Sequence, residues 1–375
     1  MNHLTWVELS REAYRFNMEH FRKLTGNNRK IMAVIKSNAY GHGLYETALL
    51  AQECGNADML GVYSLQEAKH LYGKGIKLPI FIMGYVMAEE FNDIARHDFS
   101  ICISSLDQLK AVAETIGSKT LKIHLKFDTG LRRLGFLPEE TQELLAWLSE
   151  HENFRVEGIF SHFANIEDTV SHDFAKEQRD TFEKMCAPFM KKYNPLRHIA
   201  CSAAGLLFPD TYFEMIRSGI SMYGMWPSKE TLITSLKSNM AGELKPVLSW
   251  KTRIAQVKDV KPGDTVGYGR SHAITRPGRI AIIPGGYNDG YCRKYSNSAK
   301  VIVRGIEAPV IGRICMNMSM IDVSHIKDAS REDEVILIGS CGNSSVTADF
   351  LAGISDTINY EVTTRISPFI PRVIV

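Results

Sequence analysis

The chain has 375 residues, 45% hydrophobic and 23% charged, with a formal net charge of +2. That length predicts two domains rather than one core. The near-balanced charge, with no basic cluster beyond pairs such as Lys191-Lys192 and Arg132-Arg133, argues against a general nucleic-acid or membrane-surface binder.

Seven scattered cysteines, odd in number and never spaced Cys-x-x-Cys, count against a disulfide framework and a zinc knuckle. No metal is expected, and a reducing, cytoplasmic compartment is. The opening Met-Asn-His-Leu-Thr-Trp has no basic region followed by an apolar run, so a secretory leader is not expected. The most apolar stretch, Leu78–Ala88, is too short to span a bilayer.

Through about residue 240, β-rich apolar runs alternate with amphipathic helical patterns. The predicted strands are Lys30–Ile35, Met59–Val62, Pro79–Ile82, Phe99–Ile103, Thr120–Phe127, Arg155–Phe160, His198–Ala200 and Glu214–Arg217. Predicted helices between them include Leu44–Cys54, Leu65–Tyr72, Leu106–Thr115, Pro138–Glu150 and Phe174–Lys191. Such units build either a closed (β/α)8 barrel or a doubly wound sheet. Strict alternation in Leu121-Lys122-Ile123-His124-Leu125-Lys126 favours the barrel. A parallel strand should be apolar on both faces, so Lys122, His124 and Lys126 need a polar lumen. An edge strand with a solvated face is the alternative.

After about residue 242 the texture changes to short strands with Gly, Pro and Asp punctuation. They are Leu248–Val257, Arg279–Ile283, Ala299–Val303, Ala308–Ile311, Met318–Asp322 and Glu334–Gly339, with one short helix near Thr347–Ala352. The expected class is α/β: an N-terminal TIM-like barrel over residues 1–242, then a mostly β domain over 243–375. Residues 1–10 are candidates for packing with the β domain.

Chemistry concentrates in Ala33-Val34-Ile35-Lys36-Ser37-Asn38-Ala39-Tyr40-Gly41-His42-Gly43. An apolar strand ends in a lysine, where barrels place catalytic groups. A desolvated lysine there can lose its charge and form a Schiff base with an aldehyde. A strand-end lysine taken alone is more often a structural cation.

The segment closely resembles the cofactor motif of alanine racemases, in which the lysine forms the internal aldimine with pyridoxal 5'-phosphate. The resemblance runs from Trp6-Val7-Glu8-Leu9 to Ile358-Asn359-Tyr360-Glu361 and Pro371-Arg372-Val373, with several motifs in the family's order. It implies that Lys36 carries the cofactor and that Tyr40 and Tyr360 touch its phosphate. In Lys126-Phe127-Asp128-Thr129-Gly130-Leu131-Arg132-Arg133-Leu134-Gly135, Arg133 matches the arginine that holds the cofactor's phenolic oxygen and the substrate carboxylate. A planar guanidinium suits that bidentate task. Lys126 matches a lysine carbamylated in some members, and a simple luminal charge is an equal alternative. Arg132 is read as a solvated neighbour.

By the same resemblance His162, in Ser161-His162-Phe163-Ala164, links Arg217 to the catalytic tyrosine, and Ser202 is a phosphate ligand. Cys201 stands where the family usually has Asn. Phe213-Glu214-Met215-Ile216-Arg217-Ser218-Gly219-Ile220 decides the reaction class. Arg217 matches the arginine that faces the pyridine nitrogen, where related barrel decarboxylases carry a glutamate. An always-charged arginine cannot accept that proton, so the ring is a weaker electron sink and favours rapid reprotonation. Gly219 and Ile220 would offer backbone N–H groups to the phosphate.

Thr265-Val266-Gly267-Tyr268-Gly269 resembles the motif of the second base. Racemisation needs proton removal on one face of the α-carbon and delivery on the other; Lys36 would serve the D-face and Tyr268 the L-face. In Gly285-Gly286-Tyr287-Asn288-Asp289-Gly290 and Gly312-Arg313-Ile314-Cys315-Met316-Asn317-Met318, Tyr287 would line the entrance and the Met316 N–H would receive the substrate carboxylate. Many members have Ala and Asp where Asn288 and Asn317 stand. Tyr268, Tyr287 and Met316 would enter from the partner subunit, which implies a homodimer with shared sites. The expected activity is alanine racemisation supplying D-alanine for peptidoglycan; the alternative is a serine or broad-specificity racemase of the same fold.

Overall fold

The computed structural model describes residues 3–168, 171–238 and 242–375. The chain divides into two compact units. One comprises Glu12–Ser37 and Thr47–Lys245; the other comprises Met1–Arg11, Asn38–Glu46 and Pro246–Val375.

The first unit is a parallel barrel. Its strands are β1 (Lys30–Val34), β2 (Met59–Val62), β3 (Ile80–Ile82), β4 (Ser100–Ile103), β5 (Leu121–Lys126), β6 (Phe154–Phe160), β7 (Leu196–His198) and β8 (Met215–Ser218). They pair in the order β7-β6-β5-β4-β3-β2-β1-β8, every ladder parallel. The Arg217 N–H donates to Ala200 O at 3.0 Å and draws β8 to the chain after β7. β2, β3 and β4 are buried at every position, as parallel strands under helices must be.

Two barrel helices begin at side-chain caps. Ser64 Oγ accepts from the Glu67 N–H and Ser105 Oγ from the Gln108 N–H, each at 3.2 Å, satisfying one orphan donor of helices Leu65–Gly73 and Leu106–Ile116. The second helix buries Leu106, Leu109, Val112 and Ile116 on one face, the apolar stripe expected of a surface helix.

β1 ends in an unusual turn. Ser37, Asn38, Ala39 and Tyr40 all have φ between +53° and +56°, a left-handed run of four non-glycine residues. Each such residue costs about 1–2 kcal/mol, and strain of that kind gathers at functional sites.

The second unit is an antiparallel sheet with one parallel edge. Its order is Gln256–Val260, Gly278–Pro284, Met318–Asp322, Ile306–Ile311, Lys300–Val303, Glu334–Cys341, Leu248–Arg253, Thr5–Leu9 and Arg372–Ile374. Thr5–Leu9 pairs antiparallel with Leu248–Arg253 and parallel with Arg372–Ile374. The run predicted as one strand, Leu248–Val257, is two. At Ile254 and Ala255 the chain changes partners: Ile254 N–H donates to Asp333 O and Ala255 N–H to Ile282 O. Two helices follow, Ala348–Ser355 and Asn359–Thr364, where one was expected. Asn359–Thr364 is a six-residue helix with no side-chain cap hydrogen bond, too short to show a helical period.

Candidate active site

Lys36 is the second residue beyond β1, at its carboxyl end. The chain leaving it is anchored by Glu67: the Ser37 N–H donates to Glu67 Oε1 at 2.7 Å, and the Tyr63 N–H to Oε2 at 2.6 Å. Burial lowers the Lys36 ammonium pKa, and the charges of Arg133 and Arg217 lower it further, against a smaller opposing effect of Glu67. A lysine with a depressed pKa is a better nucleophile toward a carbonyl.

Arg217, on β8, is buried and its guanidinium donates to several acceptors. Its Nη1 donates to His198 O at 2.6 Å and to His198 Nδ1 at 3.0 Å. Its Nη2 donates to Ser161 O at 2.8 Å, Ile199 O at 3.2 Å and His162 Nδ1 at 3.1 Å. A guanidinium only donates, so both Nδ1 atoms accept and both imidazoles are neutral with the proton on Nε2. His198 Nε2 lies 2.9 Å from His124 Nδ1, so His198 donates and His124 carries its proton on Nε2. Burial, then the Arg217 charge, holds His162 and His198 well below the ordinary histidine range. His124 is pushed down to about 3 by the same causes. Arg217 is thus a fixed cation flanked by neutral imidazoles.

Lys126 closes β5 and is buried, with Nζ 4.8 Å from the centre of the Phe160 ring. Burial lowers its pKa to about 8. The alternation along β5 holds in the structure: His124 and Lys126 are both buried polar residues. Lys122, nearer the amino end, ion-pairs with Asp98 at 2.6 Å.

Arg133 is exposed on the loop after β5. That loop is tied down by Asp128, whose Oδ1 accepts the Gly130 and Arg132 N–H groups at 2.9 and 3.1 Å. Arg133 adds to the positive field on Lys36, Lys126 and His162.

Beyond β7 and β8 lies a cradle of small groups. Ser202 Oγ accepts the Gly219 N–H at 2.9 Å and the Ser221 N–H at 3.4 Å, and Ile220 opens the following turn, Ile220–Tyr223. The buried hydroxyls of Ser218 and Ser221 have no hydrogen-bond partner. Buried polar groups are normally paired, so these two donors fit an acceptor-rich group such as a phosphate. Cys201 Sγ lies 3.7 Å from Glu167 Oε1, and burial pushes its pKa up to about 12, which leaves it a protonated thiol rather than a nucleophile.

The remaining residues lie in the second unit. The Tyr40 and Tyr360 rings are 6.0 Å apart. Tyr268, 68% exposed, sits between Gly267 and Gly269, both with positive φ. A Cβ on Gly267 would fall 2.7 Å from the Arg313 nitrogen, so that turn packs directly on the loop carrying Met316. The Tyr287 N–H donates to Cys315 O at 3.1 Å and the Asn288 N–H to Met316 O at 2.9 Å. These contacts knit the loops of Tyr268, Tyr287 and Met316 together, and all three side chains are exposed.

The family model for the alanine racemase N-terminal domain matches residues 9–227, and that for the C-terminal domain matches residues 247–374. An alanine racemase of Leptospira interrogans is 39% identical over 99% of this chain and 96% of its own length. Alanine racemase 1 of Clostridium acetobutylicum is 38% identical over 98% and 94%. The chain belongs to the alanine racemase family.

Solved structures agree. An alanine racemase of Clostridium difficile superposes with a TM-score of 0.92 at 34% identity, covering 100% of this chain and 96% of that one. The Bacillus anthracis alanine racemase with bound L-Ala-P gives 0.91 at 32%, with the same coverage. Motif reading gave no site role to four side chains that the structure places around Arg217 and the cradle: His198, His124, Ser218 and Ser221. His124 had a signal in the alternation of β5. Ser218 stands inside the Arg217 motif and Ser221 directly after it, but no role attached to either, and His198 lies in a short strand that the spacing does not mark.

Proposed function

We propose that the protein interconverts L-alanine and D-alanine, with pyridoxal 5'-phosphate held in the barrel and Lys36 and Tyr268 as opposed bases. The carrying observation is Arg217, a buried cation donating to two neutral histidines and unable to take up a proton. At that position the chain thus has an arginine in place of a carboxylate of the sort that prolongs a carbanion.

The cofactor would be linked to Lys36 and held by Tyr40, Arg133, His162, Ser202, Arg217, Gly219, Ile220 and Tyr360. When bound, it supplies the electron sink that acidifies the substrate's α-hydrogen. Arg133 and the Met316 N–H bind the substrate carboxylate, and Tyr287 lines the approach. Lys36 Nζ moves the proton on the D side of the α-carbon, Tyr268 Oη on the L side. Arg217, through His162, supplies the positive field that a phenolate needs. Lys126, as a carbamate, would brace Arg133.

In this reading residues 1–242 form the cofactor-binding domain and residues 243–375 supply Tyr268, with two chains sharing their sites as a homodimer. All seven cysteines are free thiols, which supports a cytoplasmic location. Among the described residues no helix is long and apolar enough to cross a membrane. D-Alanine for peptidoglycan is the proposed use of the product. The exposed Asn317, beside Met316, supports a second reading as a serine or broad-specificity racemase.

The test is a chiral assay of L-alanine, L-serine and L-lysine with and without added pyridoxal phosphate. Alanine should turn over fastest, and absence of D-alanine from cofactor-saturated protein would end the proposal. Tyr268→Phe should lower kcat by about 10²–10⁴-fold, the usual worth of a positioned acid or base, with the bound cofactor's absorbance retained. Undiminished racemisation would end the two-base assignment.

A further inference from the structure

The barrel unit has a second concavity at the opposite end of its strands. A cavity of about 1340 Å³ is lined by Lys30, Met59, Ile80, Ser100 and Phe154, the first residues of β1, β2, β3, β4 and β6. Lys36, Lys126 and Arg217 lie toward the carboxyl ends. Nothing in the reading of the racemase site uses this floor.

Its chemistry is distinctive. Six cations line it, Lys30, Lys77, Arg96, Lys122, Arg155 and Lys192, against three carboxylates, Asp98, Glu152 and Glu157. Two of the carboxylates are already neutralised. Glu157 accepts from Ser100 Oγ at 2.8 Å and lies 3.6 Å from Arg155 Nε and 3.9 Å from Lys122 Nζ; Asp98 pairs with Lys122 at 2.6 Å. Among the described residues, no carboxylate lies within ion-pair distance of Lys30, Lys77 or Lys192. Tyr193 is also in the lining, with Lys192 Nζ 5.4 Å from the centre of its ring. One wall is aromatic: His97 stacks on Phe99 at 5.3 Å and Tyr72 meets both edge-on.

We propose that this floor cavity binds an organic polyanion of two or more negative charges, a phosphate ester or a polycarboxylate. Cations without carboxylate partners around a concave surface focus a positive potential. The volume exceeds the usual 300–1,000 Å³ of small-ligand pockets, leaving room for an organic body against the aromatic wall.

The test is calorimetric titration of the cofactor-saturated holoenzyme with pyrophosphate and, separately, citrate at low ionic strength. One saturable site per chain is expected for at least one probe, and the responding probe assigns the oxyanion class. The double variant Lys77→Gln, Lys192→Gln should bind about tenfold more weakly or worse, a change of about 1.4 kcal/mol, with racemisation unchanged. No saturable heat up to about 10 mM, equal binding by the double variant, or release of the cofactor in step with the heat would each overturn the proposal. The last result would place the anion in the cofactor's own site.

Discussion

Lys126 illustrates how a barrel interior alters one side chain. Burial is the main cause of its lowered pKa, about 8 against an ordinary 10.5. Because the folded-state pKa lies below the unfolded one, the folded protein carries the cost of a buried charge below pH 8. Between about pH 8 and 10.5 the unfolded chain binds more protons, so this group's contribution to stability rises with pH. The neutral amine populated as pH rises through 8 is the form that adds to carbon dioxide and, on losing a proton, becomes a carbamate. With ¹³C-bicarbonate, a carbamate carbon resonance should grow between pH 7 and 9 and vanish in Lys126→Ala. Its absence from the parent protein at pH 9 would leave Lys126 a plain luminal amine.

The same strand shows what a sequence discloses at this scale. Lys36, Arg133 and Arg217 stand in local motifs, so they can be named as candidates without coordinates. The polar alternation of β5 signals a lumen. His198 gives no such sign, because its importance comes from standing 2.9 Å from His124 on a strand remote in sequence and accepting from Arg217. Nothing local encodes that register.

Among elements, the left-handed turn Ser37–Tyr40 was the least legible. Non-glycine residues there oppose local preference, so only tertiary contacts explain it. Within the second unit, Gly43 N–H and Gly41 N–H both donate to Asn38 O at 2.9 Å, and Asn38 Oδ1 accepts from the Leu44 N–H at 2.9 Å. Arg372 donates to Gly41 O through Nε at 3.2 Å and Nη2 at 2.8 Å. The C-terminal strand thus braces the segment that carries Tyr40. The strands Thr5–Leu9 and Arg372–Ile374 escaped the strand reading for a related reason. Each is short, and their mutual pairing joins opposite ends of the chain.

This bracing gives an element-scale prediction. A Cβ at Gly41 would fall 1.9 Å from Thr363 O, and its φ of +88° is unfavourable to any L side chain. Gly26 has φ +72° but nothing within 4 Å of a built Cβ, so Gly26→Ala isolates the backbone term, about 1 kcal/mol. Gly41→Ala should lose more than Gly26→Ala in urea-unfolding free energy and bind pyridoxal phosphate more weakly. Equal losses would mean that the chain yields at Thr363 and that the brace is not tight.

At the scale of the whole molecule, the proposed site draws on two bodies of different design. The barrel supplies a buried arginine, a low-pKa lysine and a cradle of serine hydroxyls, at or just beyond strand ends. The β unit offers Tyr268, Tyr287 and Met316 on knitted loops with exposed side chains, as expected of groups that act on something outside their own unit. If two chains share their sites, Lys36→Ala and Tyr268→Phe disable different halves of each one. A two-fold dimer holding one chain of each kind then has one site lacking both bases and one site with both intact. Random reassociation of equal amounts makes half the dimers mixed, so activity should return to about a quarter of the parent's. Each variant alone should stay near background. If the two bases instead come from one chain, no mixture contains an intact pair, and activity that stays at background after verified subunit exchange would refute sharing.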